Sequence, residues 1–175
     1  DALIIIVYWQ LLRDLGLTKG IRFILNSLGD ENCRPKYKKK LKLYFEPYQN
    51  QLCADCQRRL TVNPLRILDC KEASCQAIAN KAPVILDELC KDCKTHFETL
   101  LEYLDELAIP YELNSRLVRG LDYYTRTAFE VIDSDDQGRQ SSISGGGRHD
   151  GLVKALGGKD TAAVGTGIGI ERLIE

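Results

Sequence analysis

An arginine, an aspartate and two tyrosines interrupt a stretch that otherwise reads as buried strand. Residues 117–131 run LVRGLDYYTRTAFEV. Leu117, Val118 and Leu121 can anchor this segment in a core, and Ala128, Phe129, Glu130 and Val131 resume the alternation of a half-buried strand. Burying Arg119 beside apolar residues is costly unless a carboxylate or a phosphate meets it. An Arg119–Asp122 salt bridge would meet that need structurally, and a ligand oxyanion would meet it functionally. The fold has to bring charge, aromatic rings and strand packing together at this point.

A chain of 175 residues can hold one domain with a core, or a core plus a small insertion. Its 44% hydrophobic and 28% charged content is that of an ordinary soluble globular chain. The net charge of -1 provides no global attraction to nucleic acid. A local basic run, RPKYKKKLK at residues 34–42, suits either a solvated helix face or phosphate contacts. The apolar run from Leu3 to Trp9 is too short to span a bilayer, and it lacks a basic leader and a cleavage site. No membrane partner and a cytoplasmic location are therefore expected. The chain opens at Asp1 in the middle of a pattern, holds no methionine and closes at Glu175 within an apparent helix, so it reads as an excised piece of a larger protein.

Three blocks follow one another. Residues 1–29 read as an amphipathic helix stopped by Gly16, then a strand from Ile21 to Leu25. Residues 30–108 are charged, helical in pattern and contain every cysteine; their longest amphipathic run spans 86–107 and ends at Pro110. Residues 109–175 return to strands at 111–113, 127–132 and 139–143, then a glycine loop, a short helix and a strand over 162–170. The turn at 133–138 favours antiparallel pairing of its neighbours. Strands outside a helical cassette predict an α+β core carrying an inserted, mostly helical subdomain.

Seven cysteines, an odd number without a secretory signal, argue against a disulfide framework. Cys53-x-x-Cys56 and Cys90-x-x-Cys93 have zinc spacing, and four thiolates would satisfy a structural Zn2+. Cys70 and Cys75 could replace one pair, and His96 is a further candidate. The alternative is that helical cysteines are small core residues.

Two further segments follow RGLDYY in order: SGGGRHDGL at 144–152 and GTGIGIERL at 165–173. Together with LNSLG at 25–29 and NPLRILD at 63–69, they make the chain resemble, over essentially its whole length, the catalytic domain of bacterial-type histidyl-tRNA synthetases, which are class II enzymes. The resemblance implies an antiparallel catalytic sheet flanked by helices, with the helical insertion at 30–108 and core at 1–29 and 109–175. It implies ATP-dependent ligation of histidine to tRNA through histidyl-adenylate, with Mg2+ accompanying ATP and a homodimeric full-length protein. By the same resemblance Arg119 contacts the α-phosphate and the substrate carboxylate. Tyr123, Tyr124, Gly146, Gly147 and His149 line the histidine pocket, and Gly167, Gly169 and Arg172 bind ATP. Position 149 departs from the usual GGRYDGL, which has tyrosine there. Lys38, Lys39, Lys40, Arg58 and Arg59 are expected to meet the tRNA acceptor end. The first two class II motifs have no counterpart, so the isolated chain is expected to be inactive. The alternative is a non-catalytic histidine-binding paralogue that regulates ATP phosphoribosyltransferase.

Overall fold

The computed structural model describes residues 1–120, 123–134 and 142–174. The first helix, α1 (Ala2–Asp14), buries Ile5, Tyr8 and Leu12 along one stripe. It ends where Gly16 takes φ 73. Strand β1 (Ile21–Ser27) follows. The cassette then runs through α2 (Arg34–Phe45), α3 (Ala54–Val62) and α4 (Ala73–Ala79), with 3₁₀ turns at Glu46–Gln51, Pro64–Ile67 and Ile85–Glu88. Helix α5 (Lys91–Glu106) leads into β2 (Tyr111–Leu113), β3 (Thr125–Asp133) and β4 (Ser142–Arg148). Short α6 (Leu152–Ala155), β5 (Val164–Ile168) and α7 (Ile170–Ile174) complete it.

The five strands lie in the order β2-β1-β3-β4-β5. All neighbours are antiparallel except β1 and β2. That parallel pair departs from an all-antiparallel expectation for a topological reason: the whole cassette and α5 separate the two strands, long enough for a crossover. One face of the sheet carries Phe23, Leu25, Phe129 and Val131, which pack on α1 and on Phe97, Leu100 and Leu104 of α5. The other face carries Ala128, joined in a second core to Tyr37, Leu41, Phe45, Leu60 and Ile67 of the cassette and to Val118 and Tyr124.

Three expectations need correcting. The long helix over 86–107 is broken, because Cys90 is extended (φ -65, ψ 162) and serves as the N-cap from which α5 starts. The glycine loop is not a loop: Gly145, Gly146 and Gly147 are strand residues of β4, paired on both sides. Pairing with two neighbours outweighs the weak strand preference of glycine. Strand β3 begins at Thr125, so residues 117–120 precede it as an irregular segment. The part of the expected 139–143 strand before residue 142 lies outside the described residues.

Buried polar joints fix that irregular segment. Asn26 Nδ2 donates to the Leu117 carbonyl at 2.9 Å, and the Asn114 N–H donates to Leu25 O at 2.9 Å. Arg34, at the start of α2, donates to the carbonyls of Leu28, Gly29 and Tyr124. A second joint gathers on Asp1, whose buried carboxylate meets Arg148 at 2.8 Å and His96 Nε2 at 2.8 Å. His96 is thus engaged with Asp1 as its partner. Burial, with Arg126 and Arg148 nearby, holds the His96 imidazole below its ordinary range, so the ring is neutral and its Nε2–H donates to Asp1.

This arrangement has a pH signature. An unfolded chain takes up a proton on His96 below about pH 6.5, which the folded chain resists. Stability is therefore lost as pH falls below that value, until the folded ring also titrates. Urea denaturation between about pH 7.5 and about pH 5.5 should show a smaller acid-dependent loss in His96→Gln than in the wild type. An equal or larger loss in the variant would remove His96 from the account.

Candidate functional site

Directly paired residues share a face of a sheet. One row therefore reads Ile24, Glu130, Gly145, Gly167 across β1, β3, β4 and β5, and the adjacent one reads Ala128, Gly147, Gly165. Both rows lie on the face opposite the α1–α5 core. Four glycines at alternate positions on two adjacent strands leave bare backbone there.

Arg119 lies across this floor. A Cβ at Gly145 would come 2.7 Å from the Arg119 Cζ, so only glycine lets the guanidinium rest on the strand. Arg119 Nη1 donates to Glu130 Oε1 at 2.6 Å, and the pair is only partly exposed. The Arg119 Nε is buried and has no acceptor among the described residues. A buried donor left unpaired is costly, and an incoming oxyanion would satisfy it. The guanidinium also sits 5.6 Å from the centre of the Tyr124 ring, within cation–π range.

The rings converge beside it. Tyr123 and Tyr124 are 4.7 Å apart at their centroids, and His149 meets them edge-on at 5.9 and 6.0 Å. Gly147, at φ 152, makes room for Tyr124, whose Cδ1 would lie 3.1 Å from a Cβ there. His149 Nδ1 is 3.0 Å from the Gly147 carbonyl oxygen, which can only accept. The Nδ1 therefore carries the proton, and in the neutral ring Nε2 is an acceptor. Burial, then the Tyr124 hydroxyl, pushes the Tyr123 phenol up, so it remains a donor at neutral pH.

A cavity of about 820 Å³ opens along this face, between Leu117, Val118, Glu130 and Ile132 on one side and Leu68, Asp69 and Gln76 on the other. A smaller hollow beside it is lined by Arg119, Tyr124, Arg34 and Arg66. The site is thus an apolar and aromatic recess with a fixed cation, adjoining a wider polar cleft. That combination can hold a planar ring and position an oxyanion.

The other expected residues divide. Gly146 turns to the opposite face, where a Cβ would meet the Phe129 ring 2.6 Å away, so its missing side chain serves packing. Gly167 faces open space and Gly169 abuts the Ile143 carbonyl. Arg172 is half-buried on α7, which directly follows β5. Asp122 and Leu121 lie outside the described residues. Of the basic residues, Lys40 pairs with Glu88 and Arg58 with Asp55. Arg59 is held by the Arg66 carbonyl and Asp69, while Lys38 is half-buried and Lys39 exposed.

Sequence reading missed Glu130 and Asn26, and it read Arg34 as part of the basic run at 34–42 where the structure has it holding backbone carbonyls. For Glu130 a signal was present, a lone carboxylate within the alternation of a buried strand. Asn26 acts on the distant Leu117 carbonyl, and nothing local marks it. The four cysteines of the two C-x-x-C pairs do not come together. Cys53 and Cys56 meet Cys70 and Cys75, whereas Cys90 and Cys93 meet Cys33 and Asp30. The chain returns to α3 through the 70–75 turn and leaves the cassette beside its point of entry, which separates the two pairs.

Alanine at neighbouring glycines should separate packing from site. Gly146→Ala, which also crowds the Gly165 backbone, should cost about 1–3 kcal/mol. Gly167→Ala should stay within about 0.5 kcal/mol. Urea melts of both variants check this, and equal costs would contradict the assignment of faces.

Comparison with known proteins bears on the same residues. A family pattern described as "Histidyl-tRNA synthetase" matches residues 50–173. The histidine–tRNA ligase of Desulfitobacterium hafniense is 51% identical over 174 residues, covering 99% of this chain and 41% of that protein. That of Nitratidesulfovibrio vulgaris is 49% identical over the same shares. The chain thus spans about two fifths of the length of the curated relatives it matches. Among solved structures, apo histidyl-tRNA synthetase of Staphylococcus aureus superposes with a TM-score of 0.77 at 35% identity, covering 99% of this chain and 42% of that one. A Bacillus halodurans protein titled as an ATP phosphoribosyltransferase regulatory subunit/histidyl-tRNA synthetase shares the fold at 19% identity and a TM-score of 0.61, covering 99% and 48%.

Proposed function

This chain belongs to the histidyl-tRNA synthetase family, and from that membership we propose that the full-length protein ligates histidine to its tRNA, with Arg119 as the cation that positions the first step. In that step a histidine carboxylate oxygen attacks the α-phosphorus of ATP. The bond to pyrophosphate breaks, pyrophosphate leaves and histidyl-adenylate forms. A ribose hydroxyl of the tRNA end then attacks the acyl carbon, and AMP leaves.

The observation that carries the reading is the Arg119 guanidinium on a glycine floor, its Nε without an acceptor among the described residues and three rings beside it. Holding carboxylate and phosphate in line lowers the barrier without a protein base, since the nucleophile is already an anion. Glu130 fixes the guanidinium so that the arm is ordered before substrate arrives. Tyr123, Tyr124 and His149 bound the imidazole recess. The His149 Nε2 is an acceptor for a substrate ring N–H, a hydrogen bond that the usual tyrosine would make from its hydroxyl oxygen. A buried partner of that kind discriminates strongly against side chains lacking the N–H.

In the same scheme Gly167, Gly169 and Arg172 serve ATP. Mg2+ bound with the nucleotide would neutralise part of its phosphate charge. The basic residues of the cassette, Lys38, Lys39 and Lys40 on α2 and Arg58 and Arg59 on α3, contribute salt-dependent affinity for the acceptor end. The protein acts as a cytoplasmic homodimer. No helix among the described residues is long and apolar enough to cross a membrane.

Histidine-dependent ATP–pyrophosphate exchange by the full-length protein tests this reading. Arg119→Ala should lower exchange by about 10²–10³-fold. Gly145→Ala should lower it in the same direction, because the displaced guanidinium can swing aside while the fold survives. Histidine binding with no exchange in the wild type would overturn the ligase reading in favour of a regulatory paralogue.

A further inference from the structure

Two groups of thiols outside this site are gathered more closely than packing requires. Cys53, Cys56, Cys70 and Cys75 place their Sγ atoms within 4.8 Å of one another, and so do the ligand atoms of Asp30, Cys33, Cys90 and Cys93. A tetrahedral ion with metal–sulfur bonds of 2.3 Å sets its sulfurs about 3.8 Å apart. The Cys53–Cys70 distance is 3.9 Å and the Cys33–Cys93 distance is 3.8 Å. A carboxylate ligand should lie about 3.6 Å from the sulfurs of such a site. Asp30 Oδ1 is 3.4 Å from Cys33 Sγ and 3.9 Å from Cys90 Sγ. All seven thiols are free, and these separations are far longer than a disulfide bond.

The backbone around both groups is arranged as for sulfur that carries negative charge. Cys53 and Cys90 each stand extended at a helix N-cap (ψ 160 and 162), with Cys56 and Cys93 in the first turn. Helix N-termini favour anions. Backbone N–H groups point at the sulfurs: Cys53 N–H at Cys75 Sγ (3.2 Å) and Asp30 N–H at Cys33 Sγ (3.3 Å). The N–H groups of Cys56 and Glu72 likewise serve Cys53 and Cys70. Such donors to the ligand atoms are what orients a metal's first ligands.

We infer that this chain holds two structural zinc-class ions in separate sites, one with four cysteine ligands (Cys53, Cys56, Cys70, Cys75) and one with three cysteines and a carboxylate (Cys33, Cys90, Cys93, Asp30). Neither leaves a protein-free position for a substrate, so both are closed sites. The first clamps the start of α3 to the turn before α4. The second clamps the entrance of the cassette to its exit, and Arg126, 3.6 Å from the second Asp30 oxygen, neutralises part of its charge. That clamp lies next to Arg34, which grips the Tyr124 carbonyl. The second ion therefore also steadies the aromatic recess.

Metal content of the full-length protein, prepared without chelator, decides it. The wild type should contain two equivalents of zinc, and Cys70→Ser and Cys33→Ser should each lose one of the two. Loss of both ions in either variant, one ion in the wild type, or none with all seven thiols reacting freely in the native protein would overturn the proposal. Cobalt loading of the wild type needs no variant and guards against misfolding. Thiolate-to-cobalt charge-transfer absorption should saturate at two equivalents with tetrahedral bands, and saturation at one or at none would overturn it too.

Discussion

The structure turns on one cation resting on backbone. Arg119 cannot lie across a strand that bears side chains, so Gly145 is obligatory beneath it. It cannot lie there unneutralised either, so Glu130, the cross-strand neighbour of Gly145, receives one end of its fork. What remains is an Nε buried with no acceptor among the described residues, a cost tolerated where a ligand relieves it. Gly145 beneath the arm, the Tyr124 ring beside it and the irregular segment that carries it together keep that arm in place.

The sheet serves two masters, and its two faces keep them apart. On one side α1 and α5 build an apolar core with Phe23, Leu25, Phe129 and Val131, and Gly146 is glycine because a Cβ would crowd both the Phe129 ring and the Gly165 backbone. On the other side the backbone is left open, and the cassette covers part of it. The joints between them are polar and directional: Asn26 to Leu117, Arg34 to Tyr124. A shift of the cassette is thereby felt at the tyrosines, and the thiol cluster at its base gives it something rigid to stand on.

Much of this was legible in the residues. The order helix, strand, helical cassette, strands could be read from periodicity, because each element is amphipathic with its own period. Arg119, the tyrosine pair and the glycine run could be singled out because charge, rings and glycine stand where a core strand should be. The triple glycine was misread as a loop, since local preference says nothing of two neighbouring strands that pair with it. Glu130 escaped notice because its partner is eleven residues earlier in sequence and one strand away in space. The cysteines misled for a related reason: spacing identifies a ligand pair but not the pair it joins, which depends on where the chain returns.

A structure of the full-length protein with a non-hydrolysable histidyl-adenylate analogue tests the central claim most directly. The account predicts the phosphate oxygen on Arg119, the imidazole among Tyr123, Tyr124 and His149, and the adenylate over Gly167 with Glu130 still paired to Arg119. A ligand bound on another face, or one bound here with Arg119 turned away from its phosphate, would contradict it.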